Sequence, residues 1–248
     1  MTDAAFSPNP VSSQDQLLGS AEDVALFLDL DGTLLDIAAT PEAVVVPSDL
    51  VADLLAVSKT LDGALAIVSG RDLGEIDSLL APLRLPAAGG HGTTIRLPDG
   101  KREEIAATIP EPWIDRLLEL QRARPGILIE RKSHCVVAHF RSSPFDEEVV
   151  RRTTEKLVSQ DPEGFELLAG RMVFEIRPRG ASKGHAVRRF MRDEPFRGRR
   201  PVFVGDDVTD EDGFEAVVEL GGIALHVATN FRGEPRHVRR WLKQLAQN

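Results

Sequence analysis

Two carboxylates follow a strongly apolar stretch near the start of the sequence. In VALFLDLDGTLLD, Asp29 and Asp31 come directly after an uninterrupted apolar run. Side chains two residues apart in an extended chain point the same way, so both carboxylates can enter one site. Close carboxylates repel unless a cation lies nearby, and Mg2+ takes oxygen ligands. A carboxylate can also attack phosphorus and form an acyl phosphate. The pattern predicts phosphoryl chemistry with Asp29 as nucleophile and Asp31 as acid and base.

Two further polar residues occupy positions that such a site would use. Ser69, in IVSGR, ends a second apolar run, where its hydroxyl and nearby backbone N–H groups can hold phosphoryl oxygens. Lys183, in SKG, opens a predicted helix and can neutralise both the nucleophile and the transferred group. Each has a plainer interpretation, because Ser-Gly is a common turn and most lysines are solvated.

An acidic turn follows a third apolar run. GDDVTDEDGF contains Asp206, Asp207 and Asp210 just after PVFVG. Acids also favour the first turn of a helix, where they interact with the helix dipole. Carboxylates this dense are nevertheless costly unless a cation is near, so the turn indicates a second contribution to the same metal site.

Strands alternate with helices in the parts of the chain that carry these motifs. The apolar runs VALFLDL, ALAIVSG, PVFVG and GIALHVA are typical of strands buried on both faces, and helical stretches separate them. We therefore predict an α/β fold, a Rossmann-like doubly wound parallel sheet, built from residues 21–104 and 180–248. In such sheets ligands bind beyond the carboxyl ends of the strands, where the polar motifs lie. Residues 1–20 are predicted to be a flexible tail.

Residues 105–179 break the alternation and are predicted to form an inserted α+β cap domain of order α-β-β-α-β-β. Period-two alternation places Ile127, Ile129, Val136, Ala138, Phe140, Met172, Phe174 and Ile176 on one face of its sheet. The opposite face then carries Glu130, Lys132, His139, Arg141, Glu175 and Arg177. A solvated polar face is common in antiparallel sheets, but an insertion here is expected to overhang the strand ends and direct these groups to the site.

Composition limits the classes of partner and compartment. The net charge of -9 argues against nucleic acid and anionic membranes, which need clustered Lys and Arg. Cys135 is the only cysteine, so no internal disulfide forms and a cytoplasmic location is expected. No apolar run approaches the ~20 residues of a membrane helix, and the first residues lack a signal peptide's pattern. We expect a monomer that acts on a small molecule.

The motifs DLDGT, SGR, SKG and GDDVTDE, in this order, resemble those of the haloacid dehalogenase (HAD) superfamily of phosphotransferases. The resemblance implies that Asp29 is the nucleophile and Asp31 the acid and base. It implies Mg2+ held at Asp29, Asp31 and Asp206. Ser69 and Lys183 would hold the phosphoryl group, and Asp210 would be a supporting acid that Asp207 assists.

More narrowly, LFLDLDGTL, GHG, IERK, AHFR, FEIRPRGASKG and GDDVTDEDGF resemble the trehalose-6-phosphate phosphatases. That family implies Mg2+-dependent hydrolysis of trehalose 6-phosphate to trehalose and phosphate through an aspartyl-phosphate intermediate. Its sugar contacts would fall on Glu130, Lys132 and Glu175, three members of the polar face. The full substrate-binding set that we expect adds Ser69, Gly70, Arg71, His139 and Arg141.

The chain departs from the family's pattern mainly in the cap. Phe140 stands where the family usually has Tyr, and Ser133 and His134 replace a common Gly-Phe pair, while Thr93 and Thr94 follow GHG. A phosphatase for sucrose phosphate or mannosylglycerate phosphate, or a sugar phosphomutase, therefore stays open. A non-catalytic binding module is a further alternative, against which the complete set of catalytic acids and lysine argues.

Overall fold

The computed structural model describes residues 23–38, 40, 43–104, 108–132, 135–170 and 172–247. The predicted tail at residues 1–20 lies outside them, as do Ser133 and His134, where the chain departs from the family's pattern. The described residues form two compact units. The first runs up to Glu103 and resumes at Ser182, and the second runs from Glu104 to Ala181.

The first unit is built on a seven-stranded sheet. Its strands are β1 (Val24–Leu28), β2 (Leu65–Val68), β3 (Ala87–Gly89), β4 (Thr94–Arg96), β5 (Arg102–Glu104), β10 (Arg200–Gly205) and β11 (Ile223–His226). The spatial order is β11-β10-β1-β2-β3-β4-β5. The strands from β11 to β3 are parallel, and β4 runs antiparallel to β3. The chain thus builds outward from β1 on one side and returns to its other side at β10, which is the doubly wound topology that the sequence predicts.

Helices flank this sheet. They are α1 (Leu50–Thr60), α2 (Leu73–Leu79), α5 (Lys183–Phe190), α6 (Glu211–Glu219), α7 (Val227–Asn230) and α8 (Pro235–Leu245). Helix α1 packs with α8, and α5 packs with α6. Every residue of β1 and β2 is buried, as the uninterrupted apolar runs predict. The Phe27 ring stacks on Phe196 with centroids 5.4 Å apart. In the described part of the chain, no helix has the length and apolar character needed to cross a bilayer.

The second unit is an antiparallel sheet with two helices. Its strands are β6 (Leu128–Arg131), β7 (Val136–His139), β8 (Phe165–Gly170) and β9 (Val173–Pro178), and its helices are α3 (Glu111–Ala123) and α4 (Glu147–Val158). The sheet order is β6-β7-β9-β8. The α-β-β-α-β-β chain order is the predicted one, although β9 lies between β7 and β8 in space.

One face of the second sheet packs under the two helices. Val136 and Ile176 pack with Trp113 and other apolar residues of α3, whereas Ala138 packs in a neighbouring cluster that includes Phe140. The alternation prediction for this face is therefore confirmed. The opposite face is less uniformly polar than predicted, because Cys135 and Val137 lie on it and are buried.

Candidate active site

The two acidic motifs, DLDGT and GDDVTDE, meet at the carboxyl ends of two neighbouring parallel strands. Strands β1 and β10 are adjacent and in register, with Leu28 opposite Val204, so their carboxyl ends coincide. The backbone N–H of Asp29 donates to the Val204 carbonyl at 3.0 Å. Asp206 follows the last residue of β10. This edge is also where the strand order reverses, the usual location of ligand sites in open α/β sheets.

A buried lysine links two of the acids. Lys183 Nζ donates to Asp29 Oδ1 at 2.7 Å and to Asp210 Oδ1 at 2.5 Å. All three side chains are almost completely buried. Ser182 caps helix α5, because its Oγ accepts a bond from the His185 backbone N–H at 3.0 Å. The cap fixes Lys183 in the first turn of the helix, facing the end of β1.

Asp210 organises the acidic turn as well as holding the lysine. Its second oxygen, Oδ2, accepts the backbone N–H groups of Asp206 and Asp207, each at 3.0 Å. Asp207 itself is exposed and its carboxylate accepts the Val208 N–H at 2.7 Å, so it caps the short 3-10 turn Val208–Asp210. The backbone leading into Asp206 is therefore held by Asp210.

Burial sets the electrostatics of these groups. It raises the pKa of the Asp29 carboxyl well above its ordinary value, because the attraction of Lys183 offsets only part of the desolvation and Asp210 adds repulsion. Burial also raises the pKa of Asp206 to about 6, with further repulsion from Asp210 and Asp207. Desolvation opposes the charge on Lys183, but its two ion pairs outweigh that cost and hold its pKa above the usual range. These carboxylates thus outnumber the cations beside them, and a bound metal ion would reduce their mutual repulsion.

Three carboxylates are close enough to share a metal ion. One oxygen each from Asp29, Asp206 and Asp210 lies within 4.8 Å of the others. An all-oxygen donor set suits a hard cation such as Mg2+. Thr33 Oγ1 donates to Asp206 Oδ1 at 3.3 Å and orients that carboxylate. Sequence reasoning missed Thr33, whose only signal is its place in DLDGT.

The Asp31 side chain is paired with Arg71, a contact that the sequence does not predict. The Arg71 guanidinium binds both Asp31 oxygens, with Nε to Oδ2 at 2.6 Å and Nη2 to Oδ1 at 2.8 Å, and the Asp31 carboxylate is not one of the three that cluster. Ser69 is buried at the end of β2, and its Oγ accepts the Arg71 backbone N–H at 3.2 Å. Arg71 therefore links Asp31 to the turn at residues 69–71, which is predicted to hold phosphate.

Gly32 allows the loop after β1 to pass Asp206. Its φ is +80°, and a Cβ at this position would lie 2.1 Å from Asp206 Oδ2. Gly32→Ala is expected to lower the free energy of unfolding by at least about 1 kcal/mol, from backbone strain alone. Gly74→Ala is the matched control, because a Cβ there meets nothing within 4 Å, and it is expected to stabilise by about 0.5 kcal/mol. Urea unfolding measures both, and equal stabilities would contradict the close approach at Gly32.

The second unit carries the predicted sugar-contacting residues on one sheet face. His139 Nε2 lies 2.9 Å from Glu130 Oε2, and the two side chains are about one third and one half exposed. Lys132 and Arg141 are exposed and Glu175 is half-buried. Arg177, also assigned to this face, is buried and paired with Glu166 at 2.7 Å. Burial, with added repulsion from Glu175, raises the pKa of the Cys135 thiol to about 12 and keeps it protonated.

Comparison with known proteins identifies the family. A family model described as trehalose-phosphatase matches residues 27–243. A probable trehalose-phosphate phosphatase of Sinorhizobium fredii is 44% identical over 204 residues, which cover 82% of this chain and 77% of the relative. Trehalose-6-phosphate phosphatase of Escherichia coli is 39% identical over 207 residues, covering 83% and 77%. The C-terminal domain of Candida albicans trehalose-6-phosphate phosphatase superposes with a TM-score of 0.73 at 23% identity, over 99% of both chains, and shares the fold. The chain belongs to the trehalose-phosphatase family, whose members are phosphoric monoester hydrolases.

Proposed function

We propose that the chain hydrolyses trehalose 6-phosphate to trehalose and phosphate in two steps, with Asp29 as the group that is transiently phosphorylated. The observation that carries the proposal is the contact between Asp29 and Lys183 at the switch point of the sheet. The lysine compensates the charge of the nucleophile before the reaction and that of the phosphoryl group during it. Family membership supports the choice of substrate.

Mg2+ fits the carboxylates at this end of the sheet, and the family resemblance implies Asp29, Asp31 and Asp206 as its ligands. Both oxygens of Asp210 already bind, one to Lys183 and the other to two backbone N–H groups. Asp29 and Asp206 are therefore the side chains proposed to hold the ion, together with the backbone carbonyl of Asp31, and Asp210 orients them. When bound, the ion neutralises charge on the phosphoryl oxygens.

In the first step an Asp29 oxygen attacks phosphorus while the bond from phosphorus to the sugar oxygen breaks. Asp31 gives a proton to that oxygen, and trehalose leaves. In the second step Asp31 takes a proton from a water molecule that attacks the same phosphorus, which releases phosphate and restores the Asp29 carboxylate. Ser69 and Lys183 hold the phosphoryl oxygens in both steps, together with the backbone N–H of Gly70. The backbone N–H groups of Ser69 and Arg71 already donate to the Ala88 carbonyl and to Ser69 Oγ.

Discrimination among sugar phosphates must come from groups that contact hydroxyls, because every such substrate carries the same phosphate. We propose that the polar sheet face of the second unit does this. Glu130 and Glu175 accept hydrogen bonds from hydroxyls and Lys132 donates them, while His139 orients Glu130 through their 2.9 Å contact. Arg141, two residues after the end of β7, is also exposed and is a further hydrogen-bond donor.

Glu130→Ala is expected to raise KM for trehalose 6-phosphate by about tenfold or more, which corresponds to one charge-assisted hydrogen bond. KM for p-nitrophenyl phosphate, which has no sugar, is expected to stay within about twofold. Glu119→Ala is the matched control, since this exposed glutamate pairs with Arg116 on helix α3, and both constants should stay unchanged. An equal rise in KM for both esters would contradict the assignment.

The function itself is tested by measuring phosphate release from a panel of sugar phosphates in the presence of Mg2+. We expect the highest kcat/KM for trehalose 6-phosphate. Preference for sucrose or mannosylglycerate phosphate would keep the chemistry and change the sugar. Phosphate transfer between sugar positions that depends on a bisphosphorylated activator would instead indicate a phosphomutase.

A further inference from the structure

The ion pair between Arg71 and Asp31 has an arrangement that a phosphate-binding arginine does not need. The guanidinium donates to both carboxylate oxygens, from Nε at 2.6 Å and from Nη2 at 2.8 Å. Only 11% of the Arg71 side chain is exposed, against 37% of Asp31. Such a two-point contact fixes the plane and the direction of a carboxylate, which a single point charge does not.

The backbone that carries Arg71 is itself immobilised. Its N–H donates to Ser69 Oγ at 3.2 Å, and its carbonyl accepts the Gly90 N–H at 2.9 Å. The His91 N–H donates to the Ser69 carbonyl at 3.0 Å. A Cβ at Gly70 would lie 2.5 Å from the His91 ring, so that ring packs directly on the turn. The guanidinium therefore extends from a fixed base.

The charge of Arg71 is also shared between carboxylates. Besides Asp31, Glu75 lies 3.8 Å from Nη1. A guanidinium engaged by two acids gains less from a third anion than one that faces solvent. The expected role of Arg71 in holding phosphate is thus less consistent with these contacts than a role that acts through Asp31.

We propose that Arg71 is the positioning residue for the general acid of the reaction: it aims the Asp31 carboxyl at the oxygen of the leaving group. The inference rests on the proposed function, because it assumes that Asp31 transfers that proton. Proton transfer needs heavy atoms about 2.6–3.2 Å apart. A misplacement of about 1 Å is enough to cost on the order of 10²-fold in rate.

Leaving-group dependence separates this role from phosphate binding. Phenyl phosphate and p-nitrophenyl phosphate have nearly the same shape, but only the phenoxide is basic enough to need a proton as it leaves. Arg71→Met is expected to lower kcat/KM by about 10²-fold for trehalose 6-phosphate and substantially for phenyl phosphate, and by less than about threefold for p-nitrophenyl phosphate. The surviving activity on the last ester also shows that the variant folds.

Four further variants complete the experiment. Asp31→Asn should show the same leaving-group pattern, and the double variant with Arg71→Met should lose little more than Asp31→Asn alone, because the two residues act as a unit. Arg71→Lys keeps the charge but cannot donate to both Asp31 oxygens from a planar group. It should therefore recover only a small part of the kcat/KM that Arg71→Met loses. Arg84→Met removes an exposed arginine and should change none of the constants.

Three results would each overturn the inference. They are an equal loss of kcat/KM on all three esters, a loss in the double variant equal to the product of the two single losses, and full activity of Arg71→Lys. The controls keep it distinct from the proposed function. If the unaltered protein releases no phosphate from any ester, or if Asp29→Asn stays active, the proposed function fails. If the unaltered protein is active and only the leaving-group pattern is missing, the positioning role alone fails.

Discussion

Asp29→Asn is expected to lower kcat for trehalose 6-phosphate by at least about 10³-fold, the scale on which the loss of a reacting group acts. The amide keeps the shape of the carboxylate and cannot form the acyl phosphate. The same change should leave the thermal midpoint of unfolding unchanged or higher. Desolvation of Asp29 outweighs the attraction of Lys183, and the lysine keeps Asp210 as its partner.

A loss of activity without a loss of stability would identify Asp29 as a residue that the reaction needs and the fold does not. An inactive Asp29→Asn protein that unfolds earlier would indicate that the aspartate is needed for structure. A stable protein that keeps full activity would show that another group attacks phosphorus. Phosphate release and thermal unfolding, measured on the same preparation, separate these outcomes.

Asp206→Asn is expected to raise the Mg2+ concentration for half-maximal activity by more than about tenfold and to lower kcat by about 10²-fold, because one of two charged ligands becomes neutral. A chelator should abolish activity, and added Mg2+ should restore it. Glu211→Gln is the matched control, since this exposed acid lies in the first turn of α6 and should change neither quantity. Activity that survives chelation would contradict the metal assignment.

Sequence patterns were sufficient to predict how Asp29 and Asp206 come together. Each follows an apolar run, buried runs alternate with helices, and parallel strands end at one edge, so the convergence follows from topology. The apolar spacing of EPWIDRLLELQRA predicts an amphipathic helix over this stretch, and α3 (Glu111–Ala123) has these bounds.

The sequence contains no comparable pattern that predicts contacts between loops. The Arg71–Asp31 pair and the Thr33–Asp206 bond depend on the paths that the loops take after β1 and β2, and neither spacing nor composition encodes those paths. Arg71 was expected to bind substrate, and the pattern SGR gives no reason to expect its pairing with Asp31.

In the second unit, alternation predicted the face of each residue but not its environment. Cys135 and Val137 lie on the face predicted to be polar and are nevertheless buried. The position of β9 between β7 and β8 was also beyond prediction, because strand pairing is non-local and hairpins imply only neighbours in sequence. Sugar selectivity therefore has to be measured at individual residues of this face.

The transient phosphorylation of Asp29 is the central claim, and one measurement tests it directly. The protein is mixed with trehalose 6-phosphate and Mg2+, quenched in acid during the first turnover, and analysed by intact and peptide mass. We predict a gain of one phosphoryl group on the peptide that contains Asp29, absent from Asp29→Asn. Complete turnover with no phosphoryl group on that peptide at any time, or with the group on another residue, would contradict the account.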